Sequence, residues 1–227
     1  MGMSGFSYPE WIGEVYPPGT KRKDLLAAYA RIFDAVEINM TFRRNPEEKT
    51  IDGWRAAVPD DFRFAVKANA RITHFRRLVD VGEVVAEFME RIGRMGVRLG
   101  CVLFQLRANM QFDAAVLDAF GASLPAGRYA LEPRNATFMT DKAFDVLRTH
   151  GIALCLNDDL FDPKTYVRTG AFAYLRFHRA AYSAAEIDER AALINEFADP
   201  GDVFAFFAHE DDPECVAPAL AMKRILT

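Results

Sequence analysis

Eight short apolar runs alternate with helix-like stretches along the whole of this chain. The runs are Gly2–Phe6, Ala35–Ile38, Phe62–Val66, Cys101–Leu106, Tyr129–Leu131, Ile152–Leu156, Phe172–Leu175 and Val203–Phe207. Strands that alternate with helices form parallel sheets, and eight such units are the number that a closed (β/α)8 barrel needs. We therefore predict an α/β fold, a single (β/α)8 barrel of the TIM type, whose functional residues lie where the strands end.

The stretches between the runs are long enough for helices except at one place. Those with helical character are Lys21–Phe33, Pro46–Val58, Gly82–Arg94, Asp113–Gly121, Asp141–His150, Ala184–Ala198 and Pro213–Ile225. Between Leu156 and Phe172 there is room only for a short helix, and Pro163 interrupts it. No linker or shift in composition divides the chain, so we expect one domain over residues 1–227 with a short or missing sixth helix.

Composition favours an ordinary globular protein without a general affinity for polyanions. The chain has 227 residues, of which 51% are hydrophobic and 26% are charged, and this suits one compact barrel. The net charge of −4 provides no global basic field, so any anion site must come from local placement of cations. Three cysteines at no metal-like spacing, a polar start and no long apolar stretch favour the cytoplasm over a membrane or an oxidising compartment. The sequence carries no indication of oligomeric state.

Within most of the runs, one strand face reads small and then polar. Alternate residues of a strand point to opposite faces, and Ala35 shares a face with Glu37 as Ala130 does with Glu132. The other face is bulky and suits the layer beneath the helices. We therefore expect the small residues to line the barrel and the polar residues to stand at its mouth.

The eighth run fits this rule less clearly than the others. Phe207 and His209 would face inward by analogy, although Phe204 and Phe206 leave the facing of this strand open. The polar residues predicted to gather at the mouth are Glu37, Asn39, Lys67, Gln105, Glu132, Arg134, Asn157, Arg176, His178 and His209.

A mixture of carboxylates and cations at one mouth is typical of general acid–base catalysis, because neighbouring charges shift pKa values toward useful ranges. Glu37 and Glu132 are candidate general bases. Lys67, His178 and His209 are candidate general acids or electrostatic clamps. The structural alternative is a set of ion pairs that closes the barrel top, but so many buried polar groups are costly without a function.

The same residues allow other chemistries. Lys67 is a possible Schiff-base lysine, and Glu37 with Glu132 is a possible glycosidase pair. A divalent metal held by His178 and His209 together with Glu132, Asp158 or Glu210 is a further alternative, although no close spacing of histidines supports it. The metal therefore stays unassigned at this point.

Two loops beside the predicted mouth carry further candidate binding residues. Tyr8 and Trp11 belong to a rigid aromatic loop that either walls a pocket by stacking or packs as a cap over the barrel end. Arg71 and His74 belong to a segment with three arginines, which either binds phosphate or carboxylate or forms a solvated charged surface.

Several segments resemble one protein family, in order and nearly from end to end. They are Ser4–Trp11, Phe33–Asn39 with Thr41 and Phe42, Phe62–Lys67 with Ile72–His74, Leu103–Leu106, Glu132 with Arg134, Tyr174–Arg176 with His178, and His209–Asp211 with Pro213 and Glu214. On these motifs the chain resembles the DUF72 (YecE-like) family, whose members are TIM-type barrels. The resemblance implies this fold and a site at the strand ends, but no reaction. The histidine that commonly follows Arg134 in the family is absent here.

These observations favour a hydrolase-type enzyme that uses general acid–base chemistry on an anionic, phosphate-containing substrate. Lys67, Arg134 and Arg176 would hold the anion, because guanidinium and ammonium groups pair with phosphate. The further candidate binding residues are Asn39, Gln105, Asn157, Tyr8, Trp11, Arg71 and His74. The alternative from another class is a non-catalytic module that binds a nucleic acid or an anionic metabolite.

Overall fold

Eight parallel strands close into a barrel in the order in which they occur along the chain. The structure, a computed structural model, describes residues 1–208 and 212–226. The strands are β1 (Gly2–Met3), β2 (Ala35–Ile38), β3 (Arg63–Lys67), β4 (Leu99–Gln105), β5 (Tyr129–Glu132), β6 (Ala153–Asn157), β7 (Ala173–Phe177) and β8 (Val203–Phe207). Pairing of β1 with β8 completes the ring, which confirms the predicted (β/α)8 architecture of the TIM type.

Seven α-helices follow these strands within the described residues. They are α1 (Leu25–Tyr29), α2 (Glu48–Ala57), α3 (Gly82–Gly93), α4 (Ala114–Ala122), α5 (Asp141–Thr149), α6 (Ala184–Phe197) and α7 (Ala217–Leu226). Between β6 and β7 the chain forms only a 3-10 turn, Pro163–Thr165, so the expected loss of the sixth helix is confirmed. Pro163 occupies the first position of that turn, which proline suits, and it prevents a helix that begins earlier from running through this point.

The strands separate two buried clusters, one inside the barrel and one beneath the helices. The inner cluster consists of Ala35, Ala65, Cys101, Leu103, Ala130, Ala153, Cys155, Phe172, Tyr174, Phe204 and Phe206. The outer cluster contains the alternate residues of the same strands, such as Val36, Val102 and Leu131. The predicted facing of β2 to β7 is therefore correct, and it places their polar ends at one mouth.

The facing of β8 differs from the sequence-based expectation. Phe204 and Phe206 belong to the inner cluster, whereas Phe207 lies in the outer cluster with its ring centroid 5.1 Å from that of Phe177. The small residues on the inner faces of the earlier strands leave room that large rings must fill, because protein interiors are close-packed. His209, predicted on the same face as Phe207, lies outside the described residues.

The base of the barrel is packed tightly enough to exclude a single methyl group at Gly100 of β4. A Cβ atom at this position would lie 2.7 Å from the Phe204 ring and 3.3 Å from the Cβ of Arg63. We expect Gly100→Ala to lower the free energy of unfolding by about 1–3 kcal/mol, measured by urea denaturation. The control is Gly53→Ala on exposed α2, where nothing lies within 4 Å, and there we expect a gain of about 0.5–1 kcal/mol. Equal stability of the two variants would contradict this description of the base.

Candidate active site at the barrel mouth

An ion-pair bridge lies where the strands end at the mouth. Arg176, near the end of β7, donates from Nη2 to Oε1 of Glu37 at 2.9 Å and from Nη1 to Oε2 of Glu132 at 2.7 Å. Both carboxylate side chains are fully buried, and the guanidinium is nearly so. One cation therefore joins two anions that come from β2 and β5, which lie three places apart in the ring.

Neighbouring side chains satisfy the remaining oxygen positions of Glu37. Oε1 also accepts hydrogen bonds from Ser4 Oγ at 2.7 Å and from Asn39 Nδ2 at 3.2 Å. Oε2 accepts one from the Tyr174 hydroxyl at 2.7 Å. A buried carboxylate with this many donors is held as an anion in one orientation.

Glu132 is held in the same way from the other side. Gln105 Nε2 donates to Oε2 at 2.8 Å, and Asn157 Nδ2 donates to Oε1 at 2.9 Å. The sequence predicts Gln105 and Asn157 as substrate-binding residues. In the structure both side chains are buried, and their amide groups donate to Glu132 and hold it in position. Three adjacent strands, β4 to β6, supply this arrangement because their polar ends share one face.

The bridge shifts the pKa values of all three groups toward their charged forms. Burial raises the pKa of Glu37, but Arg176, His178 and hydrogen bonds from Tyr174 and Ser4 outweigh it and bring the pKa to about 2. For Glu132 too, burial raises the pKa, but Arg176 and two amide donors outweigh it and bring the pKa below the ordinary value. Burial lowers the pKa of Arg176, and the two carboxylates more than reverse this. A permanently charged, rigid bridge is suited to electrostatic stabilisation.

Lys67, the last residue of β3, stands at the mouth beside this bridge. Its Nζ lies 4.7 Å from the ring centroid of Phe42, and the residue is only partly exposed. Burial lowers the pKa of this amine, and Arg176 lowers it further, while Glu37 and Glu132 act in the opposite direction. Within the described residues, Lys67 forms no salt bridge, so its amine remains available to an incoming anion.

Two arginines, Arg107 and Arg134, and His74 stand around Lys67 on the β3, β4 and β5 loops. The His74 ring meets Phe42 edge-on at 4.7 Å between centroids, and Arg107 reaches the His74 carbonyl at 3.5 Å. Burial lowers the pKa of His74, and Lys67, Arg107 and Arg134 lower it further. The rim is therefore cationic above a floor of fixed charges, as an anion site requires.

His178 stands on the β7 side of the mouth and is tied to the floor through a hydroxyl. Its Nε2 lies 3.2 Å from Ser4 Oγ, which in turn donates to Glu37. Asp158 accepts the His178 backbone N–H at 2.9 Å and is itself held by Tyr182 and Arg190. Asp158 thus fixes the backbone from which the imidazole projects.

Three sequence-predicted binding residues lie away from this floor. Trp11 is fully buried and packs against Tyr8 and Tyr16, whose ring centroids lie 4.7 and 5.7 Å from its own. At Trp11 the aromatic loop is therefore packed as a cap and does not offer a stacking surface to a ligand. Tyr8 is partly exposed. Arg71 is exposed on a neighbouring π-helical turn and lies 3.8 Å from Glu87.

The residues considered for a metal are engaged in other contacts. Glu132 is bound by Arg176, Gln105 and Asn157, and Asp158 lies behind His178. Among residues 1–208 and 212–226, no group of three histidine, cysteine, aspartate or glutamate residues is placed to hold a metal ion. His209, the remaining candidate ligand, lies outside that part of the chain.

Comparison with known proteins identifies the family of this chain. A sequence model of the family described as "Protein of unknown function DUF72" matches residues 1–227. The chain belongs to the DUF72 family. The family assignment confirms the resemblance seen in the sequence motifs, and it carries no reaction with it.

Individual relatives of this DUF72 protein extend the comparison. The UPF0759 protein YecE of Escherichia coli K12 is 31% identical over 140 residues, which are 61% of this chain and 49% of that protein. The chain thus spans about half the length of the curated relatives it matches. A crystal structure of a DUF72 family protein from Thermotoga maritima MSB8 has a TM-score of 0.87 at 26% identity, covering 99% of this chain and 97% of that one.

Two more distant structures show the fold alone. A DUF72 family protein from Enterococcus faecalis V583 is 20% identical, with a TM-score of 0.77 over 91% of this chain and 95% of that one. D-Psicose 3-epimerase from Clostridium cellulolyticum H10 is 10% identical, with a TM-score of 0.62 over 99% and 97% of the two chains. Within the described residues, no helix of this DUF72 protein combines the length and apolar character needed to cross a membrane.

Sequence reasoning misses several members of the site. Ser4 and Tyr174 both contact Glu37, and Arg107 joins the cationic rim. Ser4 lies two residues beyond Gly2 on a strand, so the alternation rule itself could have placed it at the mouth. For Tyr174 the rule predicts only that the residue faces inward, because alternation gives a face and not a hydrogen-bond partner.

Proposed function

We propose that this DUF72 protein is a hydrolase-type enzyme that acts on a phosphate-containing anion at the barrel mouth by general acid–base chemistry. The observation that carries the proposal is Lys67, a partly buried amine of lowered pKa beside two buried, ionised carboxylates. Such perturbed groups at the C-terminal end of barrel strands are typical of catalytic sites.

In this proposal the Glu37–Arg176–Glu132 bridge is a fixed electrostatic floor. A carboxylate whose pKa lies near 2 is a weak base at neutral pH, so Glu37 is better suited to stabilising a neighbouring cation than to taking a proton. Lys67 is the corresponding general acid, because a lowered pKa makes its ammonium a better proton donor.

The proposed step is the attack of water on phosphorus. His178 accepts the proton of the attacking water, and Ser4 links the resulting imidazolium to Glu37. The bond between phosphorus and the leaving oxygen breaks, and Lys67 donates the proton that this oxygen requires. Arg134, Arg107 and His74 lie around Lys67 and would hold the remaining phosphate oxygens.

The competing function is a module that binds an anion without turning it over. Its support is the complete set of hydrogen bonds on Glu37 and Glu132, which a purely structural bridge would also show. In that case the cationic rim binds phosphate without hydrolysing an ester, and substitutions at the mouth change the affinity for phosphate only.

Hydrolysis of phenyl phosphate and of p-nitrophenyl phosphate by wild type and Lys67→Met tests the proposal. We expect Lys67→Met to lower kcat by about 10²- to 10⁴-fold for phenyl phosphate and by less for p-nitrophenyl phosphate, because a poor leaving group depends more on the donated proton. Lys142→Met, at an exposed position of α5, is the matched control and should keep the wild-type rate.

Two results would count against the enzyme. Full activity in Lys67→Met removes the general acid from the mechanism. Inorganic phosphate that binds wild type but not Lys67→Met, with neither ester hydrolysed, identifies the mouth as a binding module.

A further inference from the structure

A second basic depression lies beside the mouth, between the loops that follow β2 and β3. We call it the arginine groove; its volume is about 480 Å³ and its lining includes Phe42, Arg43, Arg44, Asn45, Arg71 and Phe75. Phe42 in this lining also contacts Lys67 and His74, so the groove and the proposed active site share this ring. A ligand long enough to pass this ring would reach both.

The groove is rich in unneutralised cations. Arg43, Arg44 and Arg71 are exposed, and within the described residues the first two form no salt bridge. Among the described residues, the carboxylate that contacts this lining is Glu87, at 3.8 Å from Arg71, and it also accepts a hydrogen bond of 3.5 Å from Asn45. Three guanidinium groups against one carboxylate give a local positive field in a chain of net charge −4.

An exposed aromatic ring stands at the edge of the same groove. Phe75 is 76% exposed and ends the π-helical turn Arg71–Phe75. The next residues are strained: Arg77, Leu78 and Asp80 have φ angles of 50°, 68° and 51°, a conformation that is costly for side chains other than glycine. A strained segment therefore follows the exposed ring, and both π-helical turns and backbone strain cluster at functional sites.

We propose that the arginine groove binds single-stranded nucleic acid and leads it toward the mouth. One nucleotide offers both complements at once: a phosphate for the arginines and a planar base for Phe75. This inference rests on the proposed function in one respect, that the mouth accepts the phosphate of the same strand. Binding in the groove itself depends only on the groove residues.

The test is the binding of a fluorescein-labelled decathymidylate and of a decauridylate to the whole protein, followed by anisotropy over a range of salt concentrations. Arg43→Gln with Arg44→Gln should weaken binding and reduce the slope of log K against log salt by about one for each phosphate that is no longer bound. Phe75→Ala should weaken binding roughly fivefold to hundredfold with an unchanged slope, because it removes stacking and no charge.

Matched controls lie at the opposite end of the barrel. Arg31→Gln with Arg224→Gln makes the same change in net charge, and Val97→Ala truncates a side chain that is 74% exposed. Both control variants should bind as wild type does. Inorganic polyphosphate is the second probe, since it has the charge of a nucleic acid without bases.

Three results would overturn the inference. They are no binding of either oligonucleotide at low salt, equal losses of affinity in the groove and control variants, and polyphosphate binding as tight as oligonucleotide binding with no effect of Phe75→Ala. Failure of the hydrolysis proposal is distinguishable from these results. In that case the protein hydrolyses no phosphate ester, but it still binds the oligonucleotides, and the groove variants still weaken that binding.

Discussion

Arg176→Met should lower the free energy of unfolding at pH 7 by about 3–5 kcal/mol, the cost of removing one partner from a buried ion pair. Arg176 is the cation that joins Glu37 and Glu132, at 2.9 and 2.7 Å. Without it two fully buried carboxylates face one another, and part of the cost is met by protonation, which raises the pKa of the pair. Urea denaturation at pH 7 measures the loss of stability.

A rescue variant separates the loss of charge balance from the loss of packing. Arg176→Met combined with Glu37→Gln and Glu132→Gln has no buried charge left in the bridge, so we expect it to recover most of the stability of wild type. Arg148→Met, which removes a surface ion pair with Asp145, is the control and should change little. A triple variant no more stable than Arg176→Met would show that the guanidinium acts through packing alone.

The second large effect is a decrease of stability in acid that depends on Glu37. Its pKa is about 2 in the folded protein, below the ordinary value of 4.5, so the unfolded chain binds its proton first. The stabilisation is therefore complete above pH 4.5 and disappears as the pH falls toward 2. The depression corresponds to about 3 kcal/mol at neutral pH.

Denaturation of wild type and Glu37→Gln at a series of pH values measures this contribution. Glu37→Gln should be less stable than wild type at pH 7, and the difference should shrink through the interval from pH 4.5 to 2. Glu90→Gln on α3 changes an exposed glutamate and should follow wild type throughout. A difference that stays constant with pH would mean that Glu37 is not held as an anion by its neighbours.

Periodicity alone is enough to predict the barrel and most of its mouth. Alternation determines which face a residue is on, and closure of eight strands brings the polar ends of one face together. For Glu37, Glu132 and Arg176 this reasoning predicts a shared location, and the structure places them in direct contact. The missing sixth helix is equally accessible from the sequence, because Pro163 and the short interval leave no room for it.

The hydrogen bonds of the site cannot be read from periodicity. Whether Gln105 faces a substrate or supports Glu132 depends on distances across neighbouring strands, and periodicity carries no distances. On β8, aromatic residues occupy both faces of the strand. The two faces therefore do not differ in size or polarity, and alternation cannot show whether Phe206 or Phe207 points into the barrel. The arginine groove joins Arg44 and Arg71 from separate loops, whose conformations follow from tertiary packing.

The most direct measurement on the proposed site is the titration of Lys67 by carbon-13 NMR after reductive methylation of the lysines with labelled formaldehyde. Lys67→Arg identifies its signal. The pKa read from this signal should lie below the ordinary value of a lysine amine, because burial and Arg176 lower it, and inorganic phosphate should shift the signal selectively. A Lys67 signal that titrates with the surface lysines and does not respond to phosphate would contradict an anion-binding catalytic site at this mouth.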